Sequence, residues 1–432
     1  MRKNNILTLL VAFILILAFA VVPTVGCGPA VPGGEPIKIG AVGPMDYDFG
    51  KLILYGCTIA AEEINAAGGI NVGGTKRPVK IVEVNTNEMA SITDAVASVE
   101  KAITVDKVSC LVGTYRSEAA LAYQDKVMEN KTIIIGSGSA APDQNLRVKK
   151  DYEKYKYWFR TNLNVVYSAP YFNSHAGFVA DILKKELGIT ELKAVIMADK
   201  AAYADPLVPM WSKALPEMGI KVVETYRPSP AQTDANAEIK GIKESGAHIV
   251  MQMMTGPSGA VFARQWGELQ VPCTLVGVNV LAQSKALWEA TGGKAEYIAT
   301  AVLVPNAEIT PKTVPFFKKF NEKYKEFPGH GGMSYDAVLV YKDAVERAGT
   351  LNSDALVTAL EKTDYAGAAY RIVFGDINTP FPHDVLSNLT KGYASVPLVQ
   401  WVKGNQICVW PSDVKGAQKY TIPPWMAKFY KK

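Results

Sequence analysis

The stretch Cys110 to Ala122, CLVGTYRSEAALA, runs from an apolar pair through Gly113-Thr114-Tyr115-Arg116-Ser117-Glu118 into an alanine-rich helix start. A strand that ends in Gly and then offers hydroxyls and one arginine before a helix brings free backbone N–H groups and a positive charge together, which is anion-binding geometry. Other chemistry is hard to assemble from this chain. His175, His248, His330 and His383 are scattered, with no H-E-x-x-H pair and no cysteine beside them, and each reads as a surface or packing histidine. TGPSGA puts Ala260 where a nucleophile elbow needs its second glycine. GGINVGGTK lacks the Gly-Lys-Ser/Thr order of a phosphate loop and follows a helix, and GSGSAA lacks the last glycine of the dinucleotide fingerprint. With no nucleophile and base, no metal cluster and no phosphate cradle, the residues point to binding without catalysis, metal or cofactor.

The elements that must position the knot alternate regularly. IKIGAVGP reads as a buried strand, LILYGCTIAAEEINAAGG as a helix ended by Gly68-Gly69, and strand and helix then take turns through VKIVEVN, SITDAVASVEKAITV, VSCLVG, Glu118 to Asn130 and TIIIGS. This predicts a parallel sheet covered on both faces. After YWFRT the alternation restarts, from a helix at YFNSHAGFVADILKKELG through LKAVIMAD, KVVETYR, HIVMQMM and TLVGVNV, a second α/β unit. Pro209 and Pro216 argue against one continuous helix over DPLVPMWSKALPEMG. Further on come a helix near Ala282 to Ala290, the strand YIATAVLV, helices in VPFFKKFNEKYKEF and MSYDAVLVYKDAVERAG, and a C-terminal hairpin turning at Lys403-Gly404-Asn405. Loops at the carboxyl ends of parallel strands face the ligand crevice. Here they are GPMDYDFG, GTYRSEA, GSGSAAPD, ADKAAYAD, MTGPSGA and VGVNVLAQ, and two units presenting such loops to each other would enclose a ligand.

At 432 residues the chain exceeds the roughly 250–300 residues at which one core stops growing, so two lobes are expected. Arg2 and Lys3 precede an apolar run from Ile6 to Val22 and then Pro23-Thr24-Val25-Gly26-Cys27, the three-part layout of an export signal over residues 1–26. A single membrane span is the alternative, the run being at the lower edge of spanning length. Removing the leader lowers 46 basic residues to 44 against 41 acids, a net +3, which excludes an extended nucleic-acid surface. Cys57, Cys110, Cys273 and Cys408 have no C-x-x-C spacing and read as buried thiols, with a Cys273–Cys408 disulfide left open.

Taken together, IKIGAVGPM, AAEEINAAGGI, VSCLVGTYRSEAALA, YWFRT, AVIMADKAAYAD and VQWVKGNQICVWPS resemble the type I periplasmic solute-binding proteins of the branched-chain amino acid (Leu/Ile/Val-binding) class, in register from about Ile37 to Ser412. The resemblance implies a clamshell of two doubly wound parallel-sheet lobes joined by three crossovers. Residues 37–160 and 281–390 would form the N-lobe and 161–280 and 391–432 the C-lobe, after a linker at 27–36. It implies closure on a small solute for delivery to the membrane permease of an ABC transporter, with a ligand-sensing receptor as the alternative role. Val25-Gly26-Cys27 resembles a lipobox, making Cys27 the lipidated residue and the lipid the membrane contact of an exported protein. Carried over residue by residue, Ser117 matches the hydroxyl that holds the solute's carboxylate, with Arg116 beside it, Gly138 and Ser139 match the second cradle loop, and Tyr203 matches the aromatic brought over the ligand. Amino-acid binders of this class have a hydroxyl where this chain has Ala140 and an acid where it has Ser258, and those groups hold the ammonium. An α-amino acid is therefore disfavoured unless Asp46 or Asp48 substitutes. Tyr47, Phe49, Tyr115, Tyr167 and Tyr203 supply aromatic walls, Asn279 is a further ligand residue from VGVNVLAQ, and the expected solute is a small carboxylate with an apolar or aromatic body.

Overall fold

In the computed structural model, residues 33–387 and 393–431 are described; the expected leader and Cys27 lie outside them. The first lobe is built on β1 (Ile37–Gly43), with a small hairpin of β2 (Ile70–Val72) and β3 (Thr75–Arg77) before β4 (Val79–Asn85), and then β5 (Cys110–Gly113), β6 (Ile133–Gly136) and β7 (Trp158–Arg160). Its five-stranded sheet has the order β4-β1-β5-β6-β7 and is parallel throughout. Helices on both faces bury these strands, which explains runs such as Ile133-Ile134-Ile135 with no polar alternation. The GGINVGGTK stretch proves to be the hairpin, turning on Gly73 and Gly74 at φ of 57° and 95°.

The second lobe carries β8 (Leu192–Ala198), β9 (Ile220–Tyr226), β10 (Ile249–Met254) and β11 (Thr274–Asn279) in the order β11-β10-β8-β9, again parallel. Beyond β11, β12 (Ala299–Ala301) joins the antiparallel hairpin of β15 (Leu398–Val402) and β16 (Asn405–Trp410), while β13 (Asp364–Ala366) and β14 (Arg371–Val373) pair separately. The C-terminal hairpin turns at Lys403 and Gly404, both with positive φ, as the sequence predicts.

Three departures bear on the site. The lobe boundary expected at 281 is misplaced, because β12 lies along β11: the Thr300 hydroxyl bonds both the N–H and the carbonyl of Asn279, and Gln252 Nε2 donates to Ala299 O. Residues 281–301 therefore pack with the second lobe, and the chain crosses back after Ala301, before the helix Thr313–Tyr324 docks on the helix Asp48–Ala66. That latter helix starts four residues before the apolar periodicity suggests, so Phe49 belongs to its buried first turn. The helix after β7 spans Val165–Leu187, with the Asn164 side chain accepting the Tyr167 N–H as a cap. The helix Leu207–Glu217 is continuous: Pro209 sits in the first turn, where an N–H has no intrahelical acceptor to lose, and Pro216 in the last. The four described cysteines are free and buried, so Cys273 and Cys408 are not bridged.

Candidate functional site

The two lobes face each other across a cavity of about 380 Å³ lined by residues of both. The first lobe contributes the knot. β5 ends at Gly113, whose φ is 135° and whose Cβ, were there one, would sit 2.1 Å from Val42 O, so the strand can leave the sheet here only as glycine. Thr114 follows at φ 81°, and the helix Ser117–Glu129 begins at once with its leading N–H groups aimed out of the lobe. Part of that anion site is already filled by the protein. Glu88, fully buried, accepts the Arg116 backbone N–H at 2.5 Å on one carboxylate oxygen and the Thr86 hydroxyl at 2.8 Å on the other. Burial pushes its carboxyl up to about 7 in spite of these donors. The Ser117 hydroxyl oxygen accepts the N–H groups of Ala140 and Ala141, at 3.3 and 3.1 Å, which staples the knot to the second loop and leaves the hydroxyl proton to donate. Gly138 allows this close approach, since a Cβ there would lie 2.2 Å from Thr114 O.

Arg116 lines the cavity with one arm tied back, Nη1 donating to Glu88 O at 2.9 Å and Nε lying 3.6 Å from Glu118 Oε2. The remaining guanidinium N–H groups are available to a ligand. Tyr115 lies between Phe49, stacked at 4.1 Å, and the edge of His330 at 5.7 Å, and Tyr47 extends the stack at 5.2 Å from Phe49.

From the second lobe, β8 delivers the buried Asp199, whose carboxylate accepts the Thr255 and Gly256 N–H groups and the hydroxyls of Thr255 and Ser258. Desolvation raises its pKa. Tyr203 donates to the Thr255 hydroxyl at 2.9 Å, so the cavity-lining ring is held by a relay onto Asp199. Two bonds beside the cavity cross between the lobes, Tyr115 Oη donating to Thr255 O at 2.8 Å and Ala202 N–H donating to Glu118 Oε1 at 3.0 Å, and further out the Lys285 N–H donates to Glu326 Oε1 at 2.6 Å. The lobes are thus closed on the cavity. Beneath the site, Arg160 bonds the carbonyls of Ser139 and Ala141 with Nη1 and grips Asp384 with Nε and Nη2, while Asn164 donates to the same carboxylate.

Of the expected ligand residues, Arg116, Ser117, Gly138, Tyr47, Tyr115 and Tyr203 line the cavity, as does Ala140. Five do not. Ser139 turns inward and its hydroxyl accepts from Thr114 Oγ1 at 2.9 Å. Phe49 backs Tyr115 from the helix interior, and Tyr167 packs edge-on against Phe381 at 5.1 Å. Ser258 is bound to Asp199, and Asn279 donates to Gly259 O within its own lobe. Asp46 and Asp48 also stay outside: Asp46 accepts from Asn85, and Asp48 pairs with Lys51 at 3.6 Å. Sequence reasoning missed Glu88, Glu118, Thr255 and His330. The glycines around His330 in PGHGG were the available signal, because Gly331 lets that segment meet Leu52 O, 2.5 Å from where its Cβ would be. Apart from Arg116 and Glu118, the lining is uncharged, with walls including Met89, Leu163, Phe172, Met253, Val278 and Leu303.

Comparison with known proteins identifies the fold and the family. The chain is 24% identical over 410 residues to the Leu/Ile/Val-binding protein homolog 7 of Brucella suis biovar 1 (strain 1330), covering 91% of this chain and 96% of that one. A solute-binding protein of an ABC transporter from Rhodopseudomonas palustris, solved with benzoate, superposes with a TM-score of 0.68 at 16% identity, over 89% of this chain and 98% of the other. The branched-chain amino acid transporter substrate-binding protein of Streptococcus pneumoniae, solved with isoleucine, gives 0.66 at 19% identity, over 86% and 97%. The family model described as periplasmic binding protein matches residues 36–387, and the chain belongs to that family.

Proposed function

We propose that the protein is the extracytoplasmic solute-binding component of an ABC uptake transporter, tethered through Cys27, and that it closes on a small carboxylate with an apolar or aromatic body in preference to a standard amino acid. The observation that carries the reading is the charge inventory of the closed cavity. Its one guanidinium is matched by no unengaged acid, since Glu118 already holds Arg116 and the Ala202 N–H. An enclosed ammonium without a carboxylate partner costs several kcal/mol, about 2–5 when a buried charge pair is broken. A carboxylate, by contrast, meets Arg116, the Ser117 hydroxyl and the helix head, and an aromatic body meets apolar walls. The fold is shared with a benzoate-bound protein and with an isoleucine-bound one, so it admits either class and the choice rests on the cavity lining. Asp46 and Asp48, the acids that would rescue an ammonium, lie outside the lining.

The test is calorimetric titration of residues 28–432 with benzoate, 4-hydroxybenzoate, leucine and isoleucine, repeated for Arg116→Ala and Ser117→Ala. The expected outcome is binding of an aromatic acid and more than tenfold weaker binding in each variant, from the roughly 1.5–3 kcal/mol of a charged hydrogen bond. Binding of leucine or isoleucine alone would overturn the ligand class. Unchanged affinity in both variants would overturn the cradle.

A further inference from the structure

Among the described residues lining the cavity, His330 is the one whose side chain holds an enclosed nitrogen without a partner: Nδ1 is shut off from solvent and unbonded. The residue is 8% exposed and caps the helix Gly331–Ala348. Its ring stands edge-on to Tyr115 and lays Cδ2 against Gly138, 3.3 Å from where a Cβ on that glycine would be. Cδ2 adjoins Nε2 in the ring, so the second nitrogen lies on the edge turned to the cradle loop that Ser117 staples. A buried polar group left unpaired costs about 1–3 kcal/mol, which a core position would shed by carrying Phe or Leu.

A neutral imidazole has one N–H to place. On Nδ1 it would be a buried donor with nothing to receive it, a rarer and costlier orphan than a bare acceptor. On Nε2 it sits next to the Cδ2 that meets Gly138, itself a cavity-lining residue. Burial holds the ring's pKa at about 4, so the single-proton form is the one present near neutral pH.

We infer that His330 is a specificity-determining residue of this cavity, its Nε2–H donating to an oxygen of the solute's carboxylate alongside Arg116 and Ser117. The inference rests on the carboxylate reading of the site. It adds a directional donor without a second positive charge, in a cavity whose lining already balances Arg116 with Glu118.

Three replacements separate the two ring nitrogens. His330→Phe keeps the ring edge toward Tyr115 and removes both nitrogens. His330→Gln places an amide near the position of Nε2, and His330→Asn places one near Nδ1. Calorimetry with benzoate should give at least a tenfold loss for Phe and Asn and a value within about threefold of the parent for Gln. Benzoate affinity unchanged in His330→Phe, or equal in Gln and Asn, overturns the inference. Asn and Gln differ by one methylene, so comparing them holds the reading falsifiable even where Phe folds poorly. If the parent binds leucine and not benzoate, the ligand class fails separately. The same series is then read on leucine, whose carboxylate is identical: loss in Phe and Asn with retention in Gln supports the inference, and uniform affinity overturns it.

Discussion

Replacing Tyr115 with Phe removes one oxygen from the closed molecule and little else. The ring stays in its stack on Phe49, so the change is confined to the bond from Tyr115 Oη to Thr255 O, 2.8 Å across the cleft. A bond of this kind contributes about 0.5–1.5 kcal/mol net, which lowers the closed-to-open ratio by about two- to thirteenfold. The cavity takes its walls from both lobes, so solute is held by the closed form. Where the open form predominates without solute, apparent affinity falls by that same factor. Calorimetric titration with the solute that binds the parent gives the dissociation constant, and fluorescence transfer between one dye on each lobe reports closure. The expected result is a dissociation constant two- to thirteenfold higher with the closed distance at saturation unchanged. A dissociation constant equal to the parent's would refute the latch. So would a large drop in the melting temperature of the ligand-free variant, since the hydroxyl would then be supporting a lobe instead of joining two.

Arg160→Met leaves Asp384 buried with its main counter-charge gone, and breaking such a pair costs about 3–5 kcal/mol; urea unfolding should show the loss, and a midpoint equal to the parent's would contradict it. Glu88 binds its proton more tightly folded than unfolded, its pKa standing at about 7 against an ordinary 4.5. Its contribution to stability is therefore present at low pH and is lost as pH rises from about 4.5 through 7. Melting temperatures of parent and Glu88→Gln, compared between pH 5 and 7.5, should diverge in favour of the variant as pH rises; a constant difference would deny the shift. The thiols of Cys57, Cys110, Cys273 and Cys408 are buried and free, so a chromogenic disulfide reagent should find none of them in native residues 28–432 and all four in guanidinium. Fewer than four in denaturant would mean a bridge.

The alternation of strands and helices is legible in the sequence because parallel strands buried on both faces leave continuous apolar runs, and helices leave a period. The knot is legible for the same reason: Gly113, Ser117 and Gly138 sit where strands end. Side-chain direction is not. Phe49 and Tyr167 fall in crevice-side segments, yet each lies within the first turn of a helix that begins earlier than its apolar periodicity, and that turn decides which way the ring faces. Ser139 and Ser258 carry suitable hydroxyls, but Thr114 and Asp199, distant in sequence, claim them. The true course of residues 281–301 depends on β12 meeting β11 and β15, a non-local pairing with no mark in local composition. His330 is hidden by its context, three glycines that look like a turn and serve as a helix–helix contact.

The reach of Arg160 sets where the clamshell can bend. A single guanidinium clasps the cradle loop at Ser139 and Ala141 and the returning chain at Asp384, and Asn164 on the outgoing chain holds the same carboxylate. Two of the three strands of chain that link the lobes are thereby clamped to the floor of the site up to Asn164 and Asp384. Rotation of one lobe against the other must be taken up beyond those residues, like a door whose hinge plates are screwed to the frame. The cradle then travels as part of a rigid body, and on the reading proposed above a solute's carboxylate would meet its contacts ready-made before the second lobe swings over it.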